Sequence, residues 1–320
     1  MDFPQFLTIP ATGDKIPIVA FGSGTRWQIK KKGENGGPEH SKGVVDKDLV
    51  EMLKSAVNHG FIHLDTAEIY TTRRDVGAAL KEIEMPREKL WITDKYHPGS
   101  EDREGNPRGP YDSLKEGLEL MGTDYVDMYL LHTANFTDDG FPFEKAWPEM
   151  ERLYEEGLAK NIGVSNFDVA NLKRIIKTAK YKPAVCQTEF HAYLQDQSTG
   201  IRQYLKDHHI LMEAYAPLSP LTRDKDGPLK ELLPKLSKKY GRSATQILLK
   251  WAHQQGIVTV TTTSKESRMD DIMNMFDFQL RPEDIQLISD TGNTHFYRAF
   301  KIPPLPTYDT ELKIQRGIAN

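Results

Sequence analysis

The sequence predicts an α/β protein, specifically a closed (β/α)8 TIM barrel with an N-terminal β-hairpin and a C-terminal tail. Three observations carry this. Eight short apolar runs alternate with about eight amphipathic stretches of helical length, which fits a closed barrel better than an open sheet. Most of the runs are too apolar to leave a wet face, so they read as parallel strands covered by helices. No linker and no repeat beyond the βα unit divides the 320 residues, a length long for one domain but ordinary for an α/β barrel.

Taken in order, Phe6–Ile9 and Lys15–Pro17 flank Ala11-Thr12-Gly13-Asp14, a hairpin signal, so residues 5–17 form a hairpin closing the bottom of the barrel. The barrel occupies residues 18–280. Its strands are Ile18–Phe21, Phe61–Leu64, Leu90–Thr93, Asp127–Leu131, Lys160–Val164, Ala184–Gln187, Ile210–Glu213 and Ile257–Thr261. Leu49, Val50, Leu53 and Val57 share one helical face, and Gly60 ends that element. Ser113 with Glu116 reads as a capping box ahead of Leu114, Leu118 and Met121. Val169, Leu172, Ile176 and Ala179 make another stripe, and the same pattern continues through Leu229–Tyr240, Ala244–Gln255 and Arg268–Met275. Residues 281–320 carry Pro303, Pro304 and Pro306 and little periodicity, and read as a surface tail. Arg26–Val45 and Tyr96–Pro110 are long loops after strands, placed to rim the active-site face.

The totals exclude several classes. Hydrophobic residues are 38% and charged residues 28%, with a net charge of −4, so neither nucleic acid nor an anionic membrane is an expected partner. Lys30-Lys31-Lys32 reads as a solvated loop. A single cysteine, Cys186, rules out an internal disulfide or a cysteine-rich metal site and reads as a buried, inert thiol. There is no secretory leader pattern, and no apolar run approaches the ~20 residues of a membrane span. A cytoplasmic protein is expected.

Polar residues gather where strands end. Asp65 follows the second strand, Lys95 the third and His132 the fourth, and Tyr70 lies in the loop after Asp65. An acid closing an apolar run is costly unless something nearby uses it. A free tyrosine has a pKa near ~10 and is a poor donor at neutral pH. A nearby ammonium would favour the phenolate and lower that pKa. Asp65 would pair with Lys95, and His132 would orient the oxygen being protonated. The set suits a general acid acting on a carbonyl oxygen while a cofactor supplies hydride. It offers no activated nucleophile for hydrolysis and no ligand spacing for zinc.

Gly22-Ser23-Gly24-Thr25-Arg26-Trp27 begins like GxGxxG, but Trp27 stands at the last glycine place, so a Rossmann reading fails. Thr261 to Arg268 follows the eighth strand and opens a helix. It can be read as a phosphate site, with Lys265 and Arg268 as the charges and Thr262, Thr263 and Ser264 as donors, or as a capped helix start with exposed charges.

At these residues the chain resembles a known family. HLDTAEIY, WITDKY and YLLH are similar to the segments carrying the Asp-Tyr-Lys-His tetrad of the aldo-keto reductases. Asn161 to Phe167, Gln187 to His191 and Glu213 to Leu218 match in the same order, and the resemblance covers roughly residues 5–300. Thr262 to Arg268, Phe276-Asp277-Phe278 and Tyr297 to Phe300 resemble a yeast subgroup, the conjugated polyketone (ketopantoyl-lactone) and α-keto amide reductases.

The resemblance implies NADPH-dependent reduction of a small carbonyl substrate, with Tyr70 as acid and Asp65, Lys95 and His132 in support. It implies that Tyr215 stacks on the nicotinamide, that Ser165, Asn166 and Gln187 hold its carboxamide, and that Leu218 and Ser219 lie along the pyrophosphate. Thr25 and Arg26 would cover the cofactor, and Lys265 and Arg268 would read the 2′-phosphate. Trp27, Phe136, Phe296 and Tyr297 are the expected substrate walls, the last two because the resemblance implies a C-terminal tail over the active-site face, while Trp91, within a strand, is expected in the core. The chain departs from the family pattern at Thr72-Arg73, where many members have Asn-Glu, at Thr262-Thr263, where Lys-Ser is common, and at Ile272, where Asn often contacts adenine. Expected substrates are α-dicarbonyls, α-keto lactones, α-keto amides or keto esters. The alternatives are a broad aldehyde or sugar reductase, or an NADPH-sensing module without turnover. A monomer or homodimer is expected.

Overall fold

The computed structural model describes residues 5–32, 43–99, 105–136 and 140–318. A two-stranded antiparallel sheet, β1 (Phe6–Thr8) and β2 (Lys15–Pro17), precedes eight parallel strands. These are β3 (Val19–Gly22), β4 (His63–Asp65), β5 (Trp91–Tyr96), β6 (Met128–Leu131), β7 (Ile162–Ser165), β8 (Val185–Glu189), β9 (Leu211–Tyr215) and β10 (Val258–Thr261). They close a barrel in the order β10-β3-β4-β5-β6-β7-β8-β9. All eight fall on the apolar runs, each beginning one or two residues later than periodicity suggests. The shift matters for chemistry: Asp65 ends β4 and Lys95 lies inside β5. In the hairpin Leu7 pairs Ile16, and Gly13 takes a φ of 81° that the turn requires.

The chain forms two compact units. One comprises Ala20–Phe167 and Asn171–Val185. Its helix Lys47–Asn58 begins at Asp46, whose side chain accepts the Asp48 N–H, and it buries Leu49, Val50, Leu53, Ala56 and Val57. Its stop is the positive φ of Gly60, 98°. Two expectations are corrected here. Arg26–Lys32 is a helix, not loop, and Lys30 pairs with Asp46 and Asp48; the remainder of that connection, 33–42, lies outside the described residues. Ser113 is not a cap. The helix starts four residues earlier, at Gly109, with Pro110 in its first turn, where a missing N–H costs nothing. Ser113 is buried instead, and its hydroxyl accepts from Arg73 Nη2 at 3.2 Å.

The other unit comprises Met1–Val19, Asp168–Ala170 and Cys186–Asn320. The helix Ala244–His253 carries a full capping box, Ser243 with Gln246. Its Trp251 stacks on Phe190, with ring centroids 5.1 Å apart and planes 7° from parallel. Cys186 is buried and free. The C-terminal segment is not an unstructured tail: Pro282–Asn293 and Asp309–Gln315 are helices, burying Ile288 and Leu312. Asp284, in the first turn of the former, takes Lys239 and Tyr240 as partners. The same helix is anchored at Ser289, whose hydroxyl accepts from Trp251 Nε1 at 2.9 Å and whose carbonyl accepts from Gln195 Nε2 at 2.8 Å. No helix among the described residues is long and apolar enough to cross a membrane.

Candidate active site

The ends of β4, β5 and β6 bring Asp65, Lys95 and His132 together. Register sets this: Asp65 sits beside Thr93 and Lys95 beside Leu130. Lys95 is completely buried, and its Nζ donates to both Asp65 carboxylate oxygens at 2.7 Å and to the Thr66 carbonyl at 2.9 Å. Burial without such partners would cost several kcal/mol, about 3–5 when one member of a buried pair is removed. A single turn of 3-10 helix, Glu68–Tyr70, returns Tyr70 over this pair. Its hydroxyl lies 3.4 Å from His132 Nε2, and Lys95 Nζ stands 5.2 Å from the ring centroid. The His132 backbone is fixed at both ends, its N–H donating to the Tyr96 carbonyl at 2.9 Å and its carbonyl accepting from Asn166 Nδ2 at 2.9 Å.

The electrostatics correct one expectation. Burial pushes the Tyr70 hydroxyl above the ordinary tyrosine range; Lys95 pulls it down and Asp65 pushes it up again. The ammonium acts in the expected direction but does not win, because burial outweighs it and the Asp65 charge adds to the upward push.

Three supports were not legible in the sequence. Gly24 presents bare backbone to Tyr70: a Cβ there would stand 2.7 Å from ring atom Cε2 and 2.8 Å from Cζ. Behind the site, Arg73 and Asp94 form a buried ion pair, Nη2 to Oδ2 2.7 Å, with Arg73 also bonding the Ser113 carbonyl at 3.1 Å. The carboxylate holds the guanidinium protonated against the cost of burial. The only sequence signal was a second acid, Asp94, inside an apolar strand. Thr72 links Ser23 Oγ at 2.9 Å to Thr66 Oγ1 at 3.0 Å. Thr72-Arg73, odd against the family pattern, therefore has local partners for both residues.

Among the expected walls, Trp27 is buried in the helix Arg26–Lys32. Phe136 joins an aromatic cluster, 5.1 Å from Phe143 and 6.5 Å from Tyr96.

In the other unit, Gln187 Nε2 donates to Glu213 at 2.9 Å. The Tyr215 hydroxyl accepts from Gln197 Nε2 at 3.0 Å, and Phe300 meets the Tyr215 ring edge-on at 5.4 Å. Glu189, ending β8, accepts the backbone N–H groups of Ala299 at 2.6 Å and Phe300 at 3.0 Å. The C-terminal segment is thus tied to the ends of β8 and β9 through Phe300. Phe296 lies beneath Lys313 and Arg316, and Tyr297 is 6.0 Å from His191. Leu218 precedes the short helix Ser219–Thr222, and Ser219 Oγ donates to the Ala216 carbonyl at 2.9 Å. Thr263 Oγ1 accepts the Lys265 N–H at 3.1 Å just before the helix Glu266–Met273, leaving Lys265 and Arg268 exposed and Thr262 and Ser264 half-buried.

Among the described residues, left-handed backbone at non-glycine positions follows barrel strands at Thr25 (φ 48°), Thr71 (61°), Asn166 (59°) and Ala216 (55°), and precedes β9 at His209 (57°). Such conformations carry ~1–3 kcal/mol of strain each, and four of these five lie in the segments that follow strands.

Comparison with known proteins agrees with this architecture. The model of the aldo/keto reductase family matches residues 27–292. The chain is 43% identical over 299 residues to an NADPH-dependent alpha-keto amide reductase of Saccharomyces cerevisiae, covering 91% of this chain and 92% of the relative. It is 39% identical to an NAD/NADP-dependent indole-3-acetaldehyde reductase of Schizosaccharomyces pombe, covering 92% and 98%. Among solved structures, the aldo-keto reductase of Bombyx mori in complex with NADP superposes with a TM-score of 0.77 at 25% identity, covering 96% of this chain and 98% of that one. The chain belongs to the aldo-keto reductase family and is an oxidoreductase.

Proposed function

We propose that the protein is an NADPH-dependent carbonyl reductase acting on ketones that carry a second carbonyl beside the first: α-dicarbonyls, α-keto lactones, α-keto amides or keto esters. The observation that carries this is the Tyr70 hydroxyl, 3.4 Å from His132 Nε2 above a lysine held by both oxygens of one carboxylate. Tyr70 serves as the general acid. Its raised pKa keeps the proton on the hydroxyl at neutral pH, and the fixed Lys95 ammonium favours the phenolate left after transfer. His132 orients the carbonyl oxygen, and Asp65 keeps Lys95 charged and aimed.

When bound, the dinucleotide supplies the hydride. The chemistry of the residues supports the reading: Ser165, Asn166 and Gln187 carry the hydroxyl and amide groups that the family resemblance assigns to the carboxamide, and Tyr215 carries the ring it assigns to the nicotinamide, with its hydroxyl accepting from Gln197 and its edge meeting Phe300. By the family resemblance, Leu218 and Ser219 are proposed for the pyrophosphate, and Thr25 and Arg26 for covering the cofactor. Two exposed cations, Lys265 and Arg268, favour a 2′-phosphate, with Thr262, Thr263 and Ser264 as further donors. The Saccharomyces relative, named for NADPH and α-keto amides, supports both the cofactor and the substrate class. Trp27, Phe136, Phe296 and Tyr297 remain the proposed walls. We read residues 1–320 as one oxidoreductase domain working in the cytoplasm as a monomer or homodimer.

The test is Tyr70→Phe. It should bind NADPH as the wild type does and lose most turnover of ketopantoyl lactone and isatin, about 10²-fold or more for a general acid. Retained turnover ends the acid assignment. Faster turnover of xylose than of either ketone by the wild type ends the substrate assignment.

A further inference from the structure

We propose that Glu68 is a positioning residue for Tyr70: its carboxylate fastens the turn that carries the acid to the segment after β5. This rests on the reading of Tyr70 as the general acid and deepens it.

No regular element holds Tyr70. β4 ends at Asp65 and the next helix begins at Arg73. The connection between them is pinched at its base, where Thr66 Oγ1 lies 3.0 Å from Thr72 Oγ1 and the Thr66 N–H donates to the Thr93 carbonyl at 2.8 Å. Beyond that base stands a single 3-10 turn, Glu68–Tyr70, none of whose residues is fully buried. Its own backbone bonds run from the Tyr70 N–H to the Ala67 carbonyl and from the Thr71 N–H to the Glu68 carbonyl, both at 3.1 Å. One such turn has poor hydrogen-bond geometry and little stability of its own. The aim of the Tyr70 ring therefore depends on what fastens the turn.

Glu68 supplies a fastening. Oε2 accepts the His97 backbone N–H at 3.2 Å, and Oε1 accepts Asn106 Nδ2 at 2.6 Å. Both donors are themselves fixed. His97 directly follows β5, two residues after Lys95, and its carbonyl accepts the Asn106 N–H at 3.1 Å. The Asn106 carbonyl accepts the Tyr96 hydroxyl at 2.6 Å, and its Oδ1 accepts the Arg108 N–H at 3.1 Å. Asn106 is thereby oriented with its oxygen toward Arg108 and its amide nitrogen toward Glu68. Because β5 also carries Lys95, one carboxylate joins the turn bearing the acid to the strand bearing the ammonium beneath it. Hydrogen bonds to an ionised carboxylate are the stronger kind. The Tyr70 hydroxyl lies 3.4 Å from His132 Nε2, and a displacement of about 1 Å costs on the order of 10²-fold in rate.

The experiment exchanges acid and amide. Glu68→Gln turns an amide nitrogen toward one of the two donors, and Asn106→Asp sets carboxylate against carboxylate, so each breaks the tie. The double variant Glu68→Gln/Asn106→Asp rebuilds it, the new amide donating to the new carboxylate while its oxygen still accepts the His97 N–H. The readouts are kcat and KM on isatin, the NADPH dissociation constant and Tm. Each single variant should lose about tenfold in kcat, with NADPH affinity within about threefold of the wild type, and the double variant should recover to within about threefold. In a Tyr70→Phe background Glu68→Gln should cause no further loss, since it acts through the hydroxyl. Should Asn106→Asp not fold, Glu68→Ala with and without Tyr70→Phe carries the test. Unchanged kcat in the single variants, a double variant no better than the product of the singles, or an equal loss with Tyr70 and without it overturns the assignment while the reductase reading stands. A wild type that reduces neither isatin nor ketopantoyl lactone overturns both.

Discussion

Replacing Gly24 with alanine tests the geometry of the site without touching any titratable group. The added Cβ would stand 2.7 Å from Tyr70 Cε2, 2.8 Å from Cζ and 3.0 Å from Cδ2. Carbon atoms in contact prefer about 3.5–4.0 Å, so the ring must retreat by roughly 1 Å. Gly24 is not among the residues with positive φ, so alanine fits the backbone, and what gives way is the far end of a side chain. Stability should therefore change little, by under about 1 kcal/mol or a few degrees in Tm. Activity should not be spared. The Tyr70 hydroxyl is already 3.4 Å from His132 Nε2, and a displacement of about 1 Å costs on the order of 10²-fold, roughly 2.7 kcal/mol. Steady-state kcat and KM on isatin at saturating NADPH, alongside a thermal melt, should show kcat falling about a hundredfold with an unshifted Tm. Activity within threefold of the wild type would refute the claim that Gly24 positions Tyr70. A collapse of Tm would show that the backbone, not the ring, absorbs the clash.

Two further predictions concern protons. Because burial raises the Tyr70 pKa, the hydroxyl keeps its proton through pH 9. The reduction profile of kcat/KM should be level to that point and fall only above about 10; an alkaline limb centred below 9 in the wild type, absent from Tyr70→Phe, contradicts this. His253 bears on stability. It is fully buried with Nε2 2.8 Å from Thr259 Oγ1, and burial, aided by the Lys250 charge, lowers its pKa to about 3. The native state holds it neutral while the unfolded chain protonates it near ~6.5. Its contribution is complete above pH 6.5 and is lost as pH falls toward 3, by about 1.4 kcal/mol per pH unit. Urea melts from pH 7 to 5 should show a decline of about 2 kcal/mol that flattens in His253→Gln; an identical slope in the variant contradicts the assignment.

The same division between local and distant causes runs through the fold. Leu49, Val50, Leu53 and Val57 declare a helix to any reader of periodicity, and the structure buries all four. Pro282–Asn293 declares little, since its anchors are distant in sequence: Asp284 meets Lys239 and Tyr240, and Ser289 meets Trp251 and Gln195. Ser113 looked like a cap because Glu116 follows at the right spacing. Only the fold revealed that Arg73, forty residues away, claims its hydroxyl.

By itself, then, the sequence determined the strand–helix alternation, the barrel that follows from it, and the gathering of Asp65, Lys95 and His132 at successive strand ends. Those are consequences of apolar period and chain order, which are written locally. Tertiary structure alone decided that the bare face of Gly24 receives the Tyr70 ring, that Arg73 neutralises Asp94, that Phe300 meets Tyr215, and that Glu68 clamps His97. It also decided the sign of the Tyr70 shift. Lys95 pulls one way and burial the other, and which wins depends on how completely the fold removes water and how near it brings the Asp65 charge, quantities that no stretch of sequence encodes alone.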